Sequence, residues 1–106
     1  METNEIAKIL AELGNETRLE IFRLLVKVGL PGITIGDIGK RLSLPASTLA
    51  FHLKGLAEAE LIKQEKCGRS VMCYANLRTL TGVINLLSIE CCIEQEGLTN
   101  EQHVPH

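Results

Sequence analysis

Tryptophan is absent, and aromatic residues make up only 3% of the 106-residue chain. Its hydrophobic share of 45% must therefore pack through Leu, Ile and Val, as helical bundles do. Long apolar runs are also missing. The longest, residues 83–89 (VINLLSI), is far too short to cross a bilayer. The opening METNEIAKIL is polar with helical spacing and does not read as a secretory leader. The expectation is a soluble, cytoplasmic protein of one domain with no membrane partner. Histidine occurs three times, twice in the last four residues. There is no Gly-rich phosphate loop and no nucleophile–base pair fixed by spacing, so the chain does not read as an enzyme. No cysteine precedes Cys67, and the four present are expected to be reduced thiols. Such thiols suit metal or redox chemistry better than a disulfide framework.

Excess positive charge is lacking as well. The formal net charge is -2, which taken alone argues against a nucleic-acid partner. Its distribution argues the other way. Residues 38–78 carry Lys40, Arg41, Lys54, Lys63, Lys66, Arg69 and Arg78 against Glu58, Glu60 and Glu65, a balance of +4. The segments on either side are acidic. Local potential, not the net sum, steers a phosphate backbone.

The apolar pattern predicts a mainly α fold with one β-hairpin. Ile6, Ile9, Leu10 and Leu13 share one face of a first helix over residues 4–13. Gly14 ends it and Asn15 caps the next. A second helix over about 16–28 places Leu19, Phe22, Leu25 and Val26 on one face. Gly29, Pro31 and Gly32 then break the chain. Thr34 caps a short helix to about Leu42, with Asp37 in place of the usual capping-box Glu. Ser43 and Leu44 form a turn, and Pro45 suits the first position of a helix running to about Ala59. Two strands, 61–66 and 71–75, flank a tip of Cys67, Gly68, Arg69 and Ser70. A last helix, Leu77 to about Gln95, is apolar on nearly every side. Together with the first helix it is expected to form a dimer interface. Residues 1–96 thus read as one domain and 97–106 as a polar tail.

Helix, turn, helix and hairpin in this order are the layout of a winged helix-turn-helix, which lays its second helix into the major groove of DNA. Ile35, Ile38, Leu42, Leu49, Leu53 and Leu56 are expected to lock the helices together. Ser47 and Thr48 would then face the groove as short hydrogen-bonding side chains. His52 reads either as a third contact or as a packed residue. Lys54, Lys40 and Arg41 are placed to meet phosphates, which position a protein without reading sequence. Arg69 at the hairpin tip, with Lys66 beside it, can enter a minor groove or meet a phosphate.

Two segments, GNETRLEIFRLL and LPASTLAFHLKGLAEAELI, resemble those of the ArsR/SmtB family of winged-helix repressors, and the likeness spans roughly residues 5–92. The family implies a homodimer on an inverted-repeat operator in double-stranded DNA, released when a metal or metalloid binds. Ala46 and Ala50 stand where relatives often carry polar residues, which implies fewer base contacts here. The family's CxC-type site before the recognition helix has no counterpart in ITIGDIG. Its zinc-type site has none in LRTLTGVINLLSIE, which lacks histidine.

What remains is Cys91 and Cys92, with Cys73 in the second strand and Cys67 at the tip. Soft thiolates select soft ions, and adjacent sulfurs can fill two positions of a trigonal pyramid. The expected inducer is trivalent arsenic (arsenite or a methylated arsenical) or antimony on Cys91 and Cys92. Cys73 is one candidate for the third ligand. The plainer reading of each cysteine is a small buried hydrophobe, and that of Cys67 an exposed turn residue. His103 and His106 read as solvent-exposed tail residues, since Pro105 forbids a regular helix there. The alternative function is a thiol redox or persulfide sensor of the same fold. A third is a constitutive DNA-binding or protein-interaction module with inert cysteines.

Overall fold

The structure is a computed structural model and describes residues 1–95. Among these residues five helices and three strands follow in order: α1 (Thr3–Leu13), α2 (Glu16–Val28), β1 (Ile33–Thr34), α3 (Ile35–Leu42), α4 (Ala46–Glu58), β2 (Ile62–Cys67), β3 (Ser70–Ala75) and α5 (Leu77–Ser88). Local chemistry sets most of these boundaries. Asn15 accepts a hydrogen bond from the Arg18 amide at 3.0 Å and opens α2. Thr34 does the same for the Asp37 amide at 3.1 Å and opens α3. Ser43 takes the left-handed conformation (φ 55°) that stops α3. Pro45 is the N-cap of α4, with φ -62° and ψ 152°. It therefore lies one position outside the helix it was expected to start.

The core is a single cluster at the junction of α2, α3, α4 and the sheet. Ile21, Leu25, Ile38, Leu49, Leu53, Leu56, Leu61, Cys73 and Val83 are all 2% exposed or less. Such aliphatic packing is the main source of stability in a chain this poor in aromatics. The expected inner face of α2 needs correction. Ile21, Phe22 and Leu25 are buried, whereas Leu19 and Val26 are about two-fifths exposed. The stripe centres on residues 21–25, and Leu19 and Val26 flank it.

The sheet holds one strand that the pattern did not predict. β1 contributes only Ile33 and Thr34, which pair antiparallel with Cys73 and Met72. The order is β1-β3-β2, so β3 is central. β2 and β3 pair from Ile62↔Ala75 to Cys67↔Ser70, closing a tight hairpin at Gly68 and Arg69. Gly32 makes the β1 pairing possible. Its φ is 108°, and a Cβ there would strike the Cys73 carbonyl.

The last helix is shorter than expected. The final i→i+4 bond runs from the Ile89 amide to the Asn85 carbonyl, and three-residue turns follow at Cys91, Ile93 and Gln95. The Ser88 hydroxyl donates back to the Ile84 carbonyl at 2.8 Å. Cys92 has φ 64°, which no α-helix accommodates. Cys91 and Cys92 therefore lie on turns beyond α5. The polar tail, with His103 and His106, lies outside the described residues. Among the described residues no helix is long and apolar enough to cross a membrane.

Candidate nucleic-acid interface

α3 and α4 form the helix-turn-helix, and β2–β3 the wing. On α4, Leu49, Leu53 and Leu56 point into the core. Helical spacing then puts Ser47, Phe51 and Lys54 on the opposite side, and all three are exposed. Thr48 is exposed beside them. Pro45 offers α4 no side-chain cap, and its first turn carries no acidic residue. Free amides and the positive end of the helix dipole thus remain available to an anion.

The cations expected to meet phosphates are exposed. Lys40 and Arg41 occupy the last turn of α3, and both are exposed. Lys66 lies near the end of β2 and Arg69 at the hairpin tip, also exposed. The single salt bridge among the described residues joins Arg18 to Glu12. Lys40, Arg41, Lys54, Lys66 and Arg69 are not part of it.

His52 has a structural role. It is half-buried, and its Nδ1 accepts a hydrogen bond from Arg18 Nε at 3.0 Å. The packed reading thus has a partner in the structure, Arg18. The ring is turned toward α2 because Arg18 is anchored there, its Nη1 on Glu12 Oε1 at 2.5 Å. Glu12, Arg18 and His52 tie α1, α2 and α4 into one polar joint. Gly55 leaves room for it: a Cβ there would lie 2.5 Å from Glu12 Oε1 and 3.2 Å from Arg18 Cζ.

Two residues of this face were not anticipated, Arg18 and Phe51. The Arg18 guanidinium carbon lies 5.3 Å from the Phe51 ring centroid, within cation–π range. His52 meets the same ring edge-on at 5.4 Å. Phe51 was legible from its place between Ser47 and Lys54 on the outer stripe.

The cysteines fall into three settings. Cys67 is exposed at the end of β2 and Cys73 is fully buried in β3. Gln64 Nε2 donates to Cys73 Sγ at 3.6 Å. Burial pushes the Cys73 thiol up, and the Gln64 contact opposes this only partly. Cys91 and Cys92 lie with their sulfurs 2.9 Å apart. The hydrogen bond they share raises the Cys92 pKa, with desolvation and charge repulsion adding to it. Cys73 does not join them: no group of three Cys, His, Asp or Glu able to hold a metal ion forms among the described residues.

A helix-turn-helix carrying a three-stranded wing and an outward-facing second helix defines a winged helix-turn-helix protein. The helix-turn-helix domain family matches residues 13–65. The chain is 38% identical over 60 residues to an uncharacterized HTH-type transcriptional regulator of Methanocaldococcus jannaschii. That match takes in 57% of this chain, which spans only 15% of the length of that relative. An ArsR-like transcriptional regulator from Rhodococcus superposes with a TM-score of 0.76 at 25% identity, over 87% of this chain and 84% of the other. The transcriptional repressor PagR of Bacillus anthracis does so with a TM-score of 0.65 at 26% identity, over 80% and 94%. The chain belongs to the helix-turn-helix domain family, as a winged helix-turn-helix of the ArsR/SmtB type. Family and fold are those of DNA-binding transcriptional regulators, not of enzymes.

Proposed function

We propose that this protein is a homodimeric transcriptional repressor that binds an inverted-repeat operator and leaves it when a trivalent arsenical bridges Cys91 and Cys92. The DNA half of the reading is carried by the outer face of α4, which joins an uncapped first turn to exposed Ser47, Thr48 and Lys54. Lys40, Arg41, Lys66 and Arg69 extend the cationic surface to both sides of that helix in sequence. Repression follows the likeness to the Bacillus anthracis repressor. A homodimer fits the exposed apolar side chains of α5 and the turns after it, Leu77, Ile84, Leu87, Ile89 and Ile93. A lone chain does not leave so large an apolar surface in water without reason.

The inducer half rests on one observation, two thiols with sulfurs 2.9 Å apart, set between Ile89 and Ile93 of that apolar surface. A methylarsenous acid needs two sulfurs. Each thiol gives its proton to an As–OH group, two waters leave, and two As–S bonds form. Arsenite or antimonite would need a third sulfur, which the described residues of one chain do not bring to the pair. A monomethyl arsenical therefore fits best. Bridging would bend the turns after α5 and alter how two copies meet. The usual coupling between two such sites is about 1–3 kcal/mol, roughly 5–150-fold in affinity.

The test is fluorescence anisotropy on duplex DNA from upstream of the gene, under reducing conditions, with methylarsenite and arsenite titrated separately. Release of the wild type but not of a Cys91→Ser/Cys92→Ser variant is the expected result. Unchanged wild-type binding with both arsenicals would remove the inducer assignment and leave the DNA reading standing.

A further inference from the structure

The side chain on the outer face of α4 that cannot be explained by phosphate binding is Phe51. It is 64% exposed, at the middle of the stripe that runs from Ser47 to Lys54. It has no donor or acceptor, so it can neither hold a phosphate nor read a hydrogen-bonding edge. Nor does it belong to the core, which Leu49 and Leu53 reach from the other side of the helix. Yet the ring is held. Arg18 lies 5.3 Å from its centroid and His52 packs against it edge-on, at an interplanar angle of 64°. Both are fixed in turn, His52 by Arg18 at 3.0 Å and Arg18 by Glu12 at 2.5 Å. A chain with two phenylalanines and no tryptophan thus commits one of them, with three polar residues positioning it, to a surface that water would otherwise wet.

Only one apolar group projects from the floor of the major groove, the C5-methyl of thymine. We infer that Phe51 reads a thymine methyl in each half-site, and that Arg18 and His52 are positioning residues that hold its ring for that contact. The inference rests on the reading of α4 as the groove helix. It adds an apolar source of base preference beside Ser47 and Thr48, on a helix where Ala46 and Ala50 offer no hydrogen bonds. It also gives the Glu12–Arg18–His52 joint a function beyond stability: preorganisation lowers the entropy lost when a side chain meets its partner.

The experiment starts without a defined operator. A duplex is first selected by the wild-type protein from a random-sequence library, and then made again with each thymidine replaced singly by deoxyuridine. The replacement removes one methyl and leaves every hydrogen-bonding group in place. At one position per half-site, uracil is expected to weaken wild-type binding about fourfold, the effect of burying one methyl-sized group. Phe51→Ala is expected to bind the thymine and uracil duplexes equally. Its exposed site leaves the fold unaffected, which thermal unfolding verifies. Lys54→Ala is expected to weaken binding to both duplexes alike and to keep the fourfold difference. Equal wild-type affinity for thymine and uracil at every position overturns the inference. So does a Phe51→Ala variant that still distinguishes the two. A wild-type protein that enriches no duplex removes the DNA reading itself, and this inference with it.

Discussion

Arg18 donates its Nε–H to His52 Nδ1 at 3.0 Å, joining the first turn of α2 to α4 across 34 positions of the chain. The same guanidinium binds Glu12 at the end of α1, and both ends of the ion pair are less than one-fifth exposed. Removing the arginine leaves a half-buried carboxylate and a half-buried imidazole without partners. Arg18→Ala is expected to cost about 1–3 kcal/mol. For a domain of this size that lowers the midpoint of thermal unfolding by several degrees or more. Arg18→Lys keeps the charge but not the forked geometry that serves Glu12 and His52 together, and is expected to recover less than half of the loss. Full stability in both variants would show that the joint is decorative.

Gly32 and Gly29 both have positive φ, 108° and 73°, but only one is crowded. A methyl at Gly29 meets nothing within 4 Å, whereas one at Gly32 strikes the Cys73 carbonyl. Gly29→Ala is expected to cost about 1 kcal/mol of backbone strain, and Gly32→Ala about 2–3 kcal/mol as β1 is pushed off β3. Chemical denaturation of the two variants checks the order. A reversed order would contradict the β1–β3 pairing.

Much of this architecture was legible because local and global signals agreed. Asn15 and Thr34 are strong caps, and each opens a helix at the predicted residue. The apolar rows of α3 and α4 reach the core as expected. The failures have physical causes. β1 is two residues long and carries no alternation, so only its partner strand defines it. The end of α5 was hidden because LLSIECCI is apolar at every helical phase, so no stripe marked where the helix stops. Ser88 and the left-handed Cys92 end it instead. In the candidate interface, the exposure of Lys40, Arg41, Ser47, Thr48, Lys54, Lys66 and Arg69 agrees with the charge and spacing that pointed to them. The Arg18 contact of His52 could not be read in that way. Arg18 is distant in sequence and ordinary in appearance. Phe51 was not singled out, because an apolar ring offers neither charge nor a hydrogen bond to mark it as a DNA contact. Spacing from Leu49 and Leu53 already placed it outside.

The three cysteine settings imply an order of alkylation. Cys73 is fully buried and its pKa is raised, so it is both shielded and short of thiolate. Iodoacetamide at pH 8 is expected to modify Cys67 and Cys91 first, then Cys92, whose proton is held by Cys91. Cys73 is expected to react only when the sheet opens, and peptide mass spectrometry over time reads the order. The same shift has a stability consequence. A thiol whose folded pKa is raised contributes its stability in full below the ordinary thiol range, and that contribution is lost as pH climbs through the raised value. A Cys73→Ala variant should therefore lose less stability than the wild type between neutral and strongly alkaline pH. Rapid alkylation of Cys73 in the native protein would contradict its central place in the sheet.

Ile84 and Leu87 are three residues apart on α5, 55% and 61% exposed, and neither contributes to the buried core. A charge there should spare the fold and strike only what covers the helix. Leu87→Glu is expected to leave the helical circular dichroism and the unfolding cooperativity of the chain intact. It is expected to shift the mass measured by light scattering from two chains to one, since an unpaired carboxylate at the centre of an apolar interface costs several times RT. Affinity for a two-half-site duplex should fall by at least tenfold, because a monomer presents a single α4. Binding to an isolated half-site should change little. Wild-type protein that already has the mass of one chain at tens of micromolar would remove the dimer. An affinity loss equal on both duplexes would show instead that Leu87 supports the orientation of α4 within a single chain.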